Sequence, residues 1–171
     1  MRATTLLETQ HRKVEAMFRR LEAGAPDSAQ IVKDLATAIA SHMVIEEEIF
    51  YPEARKARND LIPKNVEEHE AAVCIMRRLL ASQPGDEGFT ARLKVLKEII
   101  GKHVRAEERQ LFPAVARTLG EAQNEALGRK MEARFQALMK VGAEGALAAR
   151  ASVAAQPASQ KQPPSAKQPA T

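Results

Sequence analysis

The chain has no tryptophan, one tyrosine, one cysteine and only 4% aromatic residues in 171. So few aromatics, with alanine, leucine, glutamate, arginine and lysine dominant, argue against sheets and for an all-α protein. A lone Cys74 cannot form an internal disulfide, and it sits about 140° around its helix from the apolar stripe. It reads as a surface or boundary thiol rather than a nucleophile. The N-terminus MRATTLLETQHRK has no apolar run of the length a signal peptide or membrane span needs. The expectation is a cytoplasmic protein with no membrane partner.

A large excess of charge is also missing. The formal charge is +4, and residues 141–171 supply +2 of it through Arg150, Lys161 and Lys167 against Glu144 alone. The other +2 spreads over 140 residues, and the pairs Arg19-Arg20 and Arg77-Arg78 read as solvated helix surface. No nucleic-acid partner is expected.

Against these absences stands 44% apolar content, enough for one core in one domain. Turn signals fall at Gly24–Ser28, Arg58–Pro63, Ser82–Asp86 and Gly120, cutting out four segments of about 20 to 30 residues. Within them apolar residues recur at spacings of three and four: Leu7, Val14, Phe18 and Leu21 in the first, and Ile31, Leu35, Ala38, Ile45 and Ile49 in the second. The third carries Ile62, Val66, Val73, Met76 and Leu80, and the fourth Leu93, Leu96, Ile99, Ile100 and Leu111. Four amphipathic helices with short connections favour an up-down-up-down antiparallel bundle over residues 1–120. A fifth, shorter helix over 121–141 is expected to pack outside it through Leu127, Met131, Phe135, Leu138 and Met139. From 142 to 171 the composition turns to Ala, Pro, Gln and Ser, with nothing large to bury, and a disordered tail is expected.

The sequence repeats itself. A shift of 61 superimposes HMVIEEEIFYP, from His42, on HVRAEERQLFP, from His103. A shift of 58 superimposes His11, Arg19, Arg20 and Leu21 on His69, Arg77, Arg78 and Leu79. The two helical hairpins look like copies related by an approximate twofold axis.

The four histidines fall one per helix, each on the apolar stripe. With each residue advancing about 100°, Glu46 and Glu107 lie about 40° from His42 and His103, inside their stripes. Six buried imidazoles and carboxylates without partners would cost several kcal/mol each, so their convergence needs a compensating charge. A lone HxxxE pair is usually surface, worth about 0.2 to 0.5 kcal/mol. Two such pairs plus two further histidines on four successive stripes point to a metal. Imidazole with carboxylate suits Fe, Mn or Zn, and the lack of thiolate ligands argues against structural zinc or an iron–sulfur cluster.

The order His11, HxxxE at 42–46, His69, HxxxE at 103–107 resembles the hemerythrin-like HHE cation-binding domain family, over roughly residues 5–118. The resemblance implies two non-heme iron ions, one on His11 and His42, the other on His69 and His103. Glu46 and Glu107 would bridge them alongside an oxo or hydroxo group, with manganese the lesser alternative. The oxygen-carrying hemerythrins have a further histidine one turn after the third-helix ligand, where this chain has Val73. They also have a carboxylate five residues after the fourth-helix histidine, where Glu107 here follows by four. An extra open position at the metal shifts the expectation from oxygen carriage towards binding or reducing dioxygen, peroxide or nitric oxide, as in oxidative stress. If the protein is an enzyme, a catalase-like or peroxidase-like activity is the form expected. The alternative is an oxygen, iron or redox sensor, or an iron-handling protein, acting through a partner without turnover. A monomer or weak homodimer is expected.

Three weaker candidates remain near the site. Glu15 lies at the boundary of its stripe, Gln110 on the core seam of the fourth helix, and Tyr51 about 180° from His42 on a regular helix that Pro52 is expected to bend. Glu47, Glu48 and Glu108 read as outward and solvated.

Overall fold

In a computed structural model of the protein, residues 1–156 are described. They are helical throughout, with no strand among them: α1 Ala3–Glu22, α2 Ser28–Ile45, α3 Tyr51–Arg58, α4 Ile62–Leu80, α5 Phe89–Ala106, α6 Phe112–Met139 and α7 Gly142–Ala154. A π-helical turn, Glu46–Phe50, joins α2 to α3, and a second, Glu107–Leu111, joins α5 to α6. The bundle therefore has four rods: α1, α2 through α3, α4, and α5 running into α6. Gly120, at φ 69° and ψ 178°, breaks α6, and only glycine adopts that backbone without strain.

The two π-helical turns occupy equivalent places in the sequence repeat and share one cause. In each, the amide after the turn bonds the carbonyl five residues back, Tyr51 to Glu46 and Phe112 to Glu107. One residue later comes Pro52 or Pro113, which has no N–H and whose ring would meet the carbonyl four residues back in an α-helix. A widened turn removes that clash and inserts one extra residue.

The core divides into two apolar clusters. One holds Val14, Phe18, Leu35, Met43, Val73, Met76 and Leu96, and the other Leu7, Ile45, Phe50, Ile62, Leu111, Phe112 and Met131. The histidines lie between: His11 separates Leu7 from Val14 on α1, and His69 separates Ile62 from Val73 on α4. A polar layer thus crosses the bundle between two dry halves.

The expected unstructured tail does not begin at Gly142. Residues 142–154 form α7, which packs chiefly on α2 and buries Ala146, Leu147, Arg150 and Val153. Small residues on the stripe allow close approach, alanine is the best helix former, and the one charged member of the stripe is paired. The remainder of the expected tail, 157–171, lies outside the described residues.

Candidate metal centre

The six predicted residues meet in the polar layer, and all are buried. His11 Nε2 lies 3.2 Å from His42 Nε2, and His69 Nε2 lies 3.2 Å from His103 Nε2. Glu46 spans the pairs, with Oε1 at 3.3 Å from His42 Nε2 and Oε2 at 3.3 Å from His69 Nε2. Glu107 presents one oxygen to both: Oε2 is 3.3 Å from His103 Nε2 and 3.6 Å from His11 Nε2. Two groups could each hold a metal ion, His11, His42, Glu46 and Glu107 in one and Glu46, His69 and His103 in the other.

The outer nitrogens explain why the inner ones face each other. Nδ1 of His11 meets Glu108 at 2.9 Å, and Nδ1 of His69 meets Glu47 at 2.8 Å. Nδ1 of His42 meets Gln10 Oε1 at 2.7 Å, and Nδ1 of His103 meets Glu68 at 3.3 Å. These partners only accept, so each Nδ1 carries the proton and each Nε2 turns a lone pair inward. Lone pairs 3.2 Å apart repel unless a cation stands between them. Oε1 of Glu46 and Oε2 of Glu107 are also buried here without hydrogen-bond partners. Four inward lone pairs and two orphaned carboxylate oxygens fit metal-ion binding.

In the metal-free protein, protons partly supply that charge. Burial pushes His103 down, but Glu107, Glu46 and Glu68 outweigh it and hold the imidazole well above its usual range. His69 is likewise raised against its burial, by Glu46 and Glu47. His11 goes the other way, well below its usual range, through burial and the neighbouring His42. Glu46 is held low because His42, His103 and His69 outweigh its burial, whereas Glu107 is raised by burial and by the charge on Glu46. The Glu68 carboxyl is lowered to about 2 by its bond from His103, in spite of burial, with Lys64 assisting.

The π-helical turns re-aim several residues. An extra residue moves everything beyond the turn back by about 100° relative to a regular helix, bringing Tyr51 from the far side of the helix to about 80° from His42. Its hydroxyl donates to Glu107 Oε1 at 3.0 Å and lies 3.4 Å from both Glu46 Oε2 and His69 Nε2. Burial and then the charges on Glu107 and Glu46 keep this phenol protonated, well above its usual range. Asn65 gives Glu107 Oε1 a second bond at 3.2 Å.

The other secondary expectations divide: Glu48 and Cys74 lie at the surface as expected, while Glu47, Glu108 and Gln110 do not follow the regular-helix reading. Glu47 is buried against His69, and Glu108, only partly exposed, turns inward to His11. Glu48 is exposed and pairs with Arg134. Gln110 is exposed because Leu111 takes the core seam. Glu15 is exposed between Arg12 and Arg19 and does not reach the site. Cys74 is exposed. The sequence reading missed Gln10, Glu68, Asn65 and Arg150. Gln10 and Glu68 precede His11 and His69 at equivalent positions, a signal available in the repeat.

A groove opens the α1–α5 flank of the site. It is about 570 Å³ in volume and reaches His11, with Arg12, Glu98, Arg105 and Glu108 among its lining. Beneath it a chamber of about 20 Å³ touches all four histidines, and its other walls are Val14, Ile39, Met43, Ile100 and Val104. That volume suits one water-sized molecule. Val14, Ile100 and Val104 line both spaces.

The sequence profile described as hemerythrin HHE cation binding domain matches residues 2–115. A DNA nickase of Nostoc sp. is 30% identical over 135 residues, which are 73% of this chain and 36% of that protein. The chain thus spans about a third of the length of that relative. A crystal structure of a hemerythrin HHE cation-binding domain-containing protein homologue from Mycobacterium kansasii superimposes with a TM-score of 0.73 at 23% identity, covering 82% of this chain and 89% of the other. That likeness is one of fold. No helix among the described residues is long and apolar enough to cross a membrane.

Proposed function

The chain belongs to the hemerythrin HHE cation-binding domain family, and from that premise we propose that it holds two non-heme iron ions and binds or reduces a small oxidant: dioxygen, peroxide or nitric oxide. The observation that carries this reading is the meeting of four inward Nε2 atoms with two carboxylates whose oxygens lack other partners. His11 and His42 would hold one ion and His69 and His103 the other. Glu46 and Glu107 would serve both ions, and Tyr51 and Asn65, which bond Glu107 Oε1, would hold that carboxylate in place. Two adjacent redox-active metals supply paired valence changes and open positions for a small ligand.

The chain's own residues supply the rest. Gln10, Glu47, Glu68 and Glu108 fix the imidazole tautomers and orientations. Val14, Ile100 and Val104 form an apolar passage that favours small uncharged ligands over anions, which would lose their hydration there. The Tyr51 hydroxyl keeps a proton beside Glu107. DNA nicking belongs to a relative of which this chain matches 36%, and residues 1–140 carry a formal charge of only +2, little to hold a phosphate backbone.

Metal analysis after anaerobic ferrous reconstitution should find about two irons per chain by the ligand count, with a visible spectrum that changes on adding peroxide, azide or oxygen. Fewer than two would sink the reading. Disproportionation of two peroxide molecules to water and dioxygen is the first turnover to assay, and no oxygen evolution would count against the enzymatic form.

A further inference from the structure

The two halves of the site have equivalent outer carboxylates held by unlike cations. Glu108, on His11, is paired with Arg12, whose side chain is 57% exposed and follows His11 directly on α1. Glu47, on His69, is paired with Arg150, which is 2% exposed and arrives from the far end of the chain on α7. Arg150 donates to Glu47 Oε1 through Nη2 at 2.9 Å and Nε at 3.2 Å, and to Glu70 through Nη1 at 2.6 Å.

An exposed guanidinium is screened by water and contributes little to fixing its partner. A buried one is costly unless paired, and here a forked contact pins the carboxylate oxygen in both direction and distance. The same Glu47 oxygen accepts from His69 Nδ1. The chain of contacts from α7 to His69 is therefore Arg150, Glu47, imidazole, each bonded directly to the next. α7 lies outside the 2–115 span of the family match and packs chiefly on α2, the helix that carries His42 and leads into Glu46 and Glu47.

We propose that Arg150 is a positioning residue for the His69/His103 half: docking of α7 and retention of metal in that half are coupled through Glu47, whereas Glu108 and Gln10, the outer partners of His11 and His42, take no hydrogen bond from α7. The inference rests on the two-metal reading of the site. Coupling of this kind is reciprocal, so metal in that half should also hold α7 down.

The experiment loads the full chain, wild type and Arg150→Met, anaerobically with ferrous iron and follows iron release to an excess of chelator. Wild type should yield about two irons per chain. In Arg150→Met one of them should leave up to about 10-fold faster, the lower end of what losing the outer partner itself costs, because Arg150 acts through Glu47, while the other is accelerated less. Arg150→Lys should recover part of the loss. Release of both irons at wild-type rates, or equal acceleration of both, overturns the proposal. A wild-type chain that takes up no iron overturns the two-metal reading and this proposal with it. Should Arg150→Met fail to fold, amide hydrogen exchange on the wild type decides: iron loading should slow exchange across 146–153, and unchanged exchange there overturns the coupling.

Discussion

Tyr51 and Phe112 stand at equivalent positions of the internal repeat, and each stacks on a histidine of the other hairpin. Tyr51 lies 5.8 Å from the His69 ring at 19°, and Phe112 lies 5.7 Å from the His11 ring at 13°. The backbone device is the same in both, a π-helical turn followed by proline. Only the hydroxyl differs, and it places a proton donor beside Glu107 on one side of an otherwise near-symmetric centre.

Tyr51→Phe should remove that donor while leaving the ring stacked. Asn65 still serves Glu107 Oε1, so the expected loss of stability in the metal-free protein is about 1 kcal/mol, the net worth of one hydrogen bond. Urea unfolding measures it. Metal content should stay at the wild-type level, and loss of both ions would mean that the phenol is needed for binding.

His42→Ala and Glu107→Ala should lose metal and, with it, the stability that metal adds. Bound metal stabilises the folded state by about 2.7 kcal/mol when free metal exceeds its dissociation constant a hundredfold. Wild-type protein should therefore melt higher loaded than chelated, and the two variants should show little gap. A bundle without a metal role would be indifferent or stabilised by either substitution.

In metal-free protein the site histidines should make stability fall on both the acid and the alkaline side. His11 is depressed in the folded state, so its contribution is complete above about pH 6.5 and is lost as pH falls towards its folded value. His69 and His103 are raised, so theirs are complete below about pH 6.5 and are lost as pH rises through their folded values. Thermal melts across pH should show both flanks. His103→Gln should flatten the alkaline flank, and a flank that survives this change would place its origin elsewhere.

Val104→Trp should plug the passage between the α1–α5 groove and the inner chamber. Nitric oxide should then bind loaded protein at least about tenfold more slowly with metal content unchanged, since ligand entry and metal retention use different residues. Stopped-flow absorbance reads the rate. An unchanged rate would move the entry route to another face.

Gly128→Ala should destabilise the bundle. A Cβ there would overlap the Met1 carbonyl oxygen and the Ala3 amide nitrogen, which are backbone and cannot swing aside. Overpacking of this kind costs about 1 to 3 kcal/mol, measurable by urea unfolding.

Periodicity made the helices legible because an amphipathic stripe is a local property of the chain. The placement of His11, His42, His69 and His103 on four stripes, and of Glu46 and Glu107 one turn after two of them, followed from the same 100° step. That step failed where the helix ceased to be regular. Tyr51 was misplaced because a π-helical turn lies between it and His42; Glu47 and Glu108 sit inside the turns, and their partners His69 and His11 come from other helices. Pro52 and Pro113 marked both turns, yet a proline announces only that the ladder is interrupted, not whether it bends or widens.

By itself, then, the sequence determined the all-helical bundle, the six converging residues and the internal duplication, all of which depend on spacing within single helices. Tertiary structure alone decided which outer groups hold each imidazole, how Glu107 divides its oxygens, and that residues 142–154 fold back as a helix. Those outcomes depend on contacts between distant segments, such as Gln10 with His42 and Arg150 with Glu47. No periodicity encodes them: a buried charge declares its partner only when another part of the chain arrives beside it.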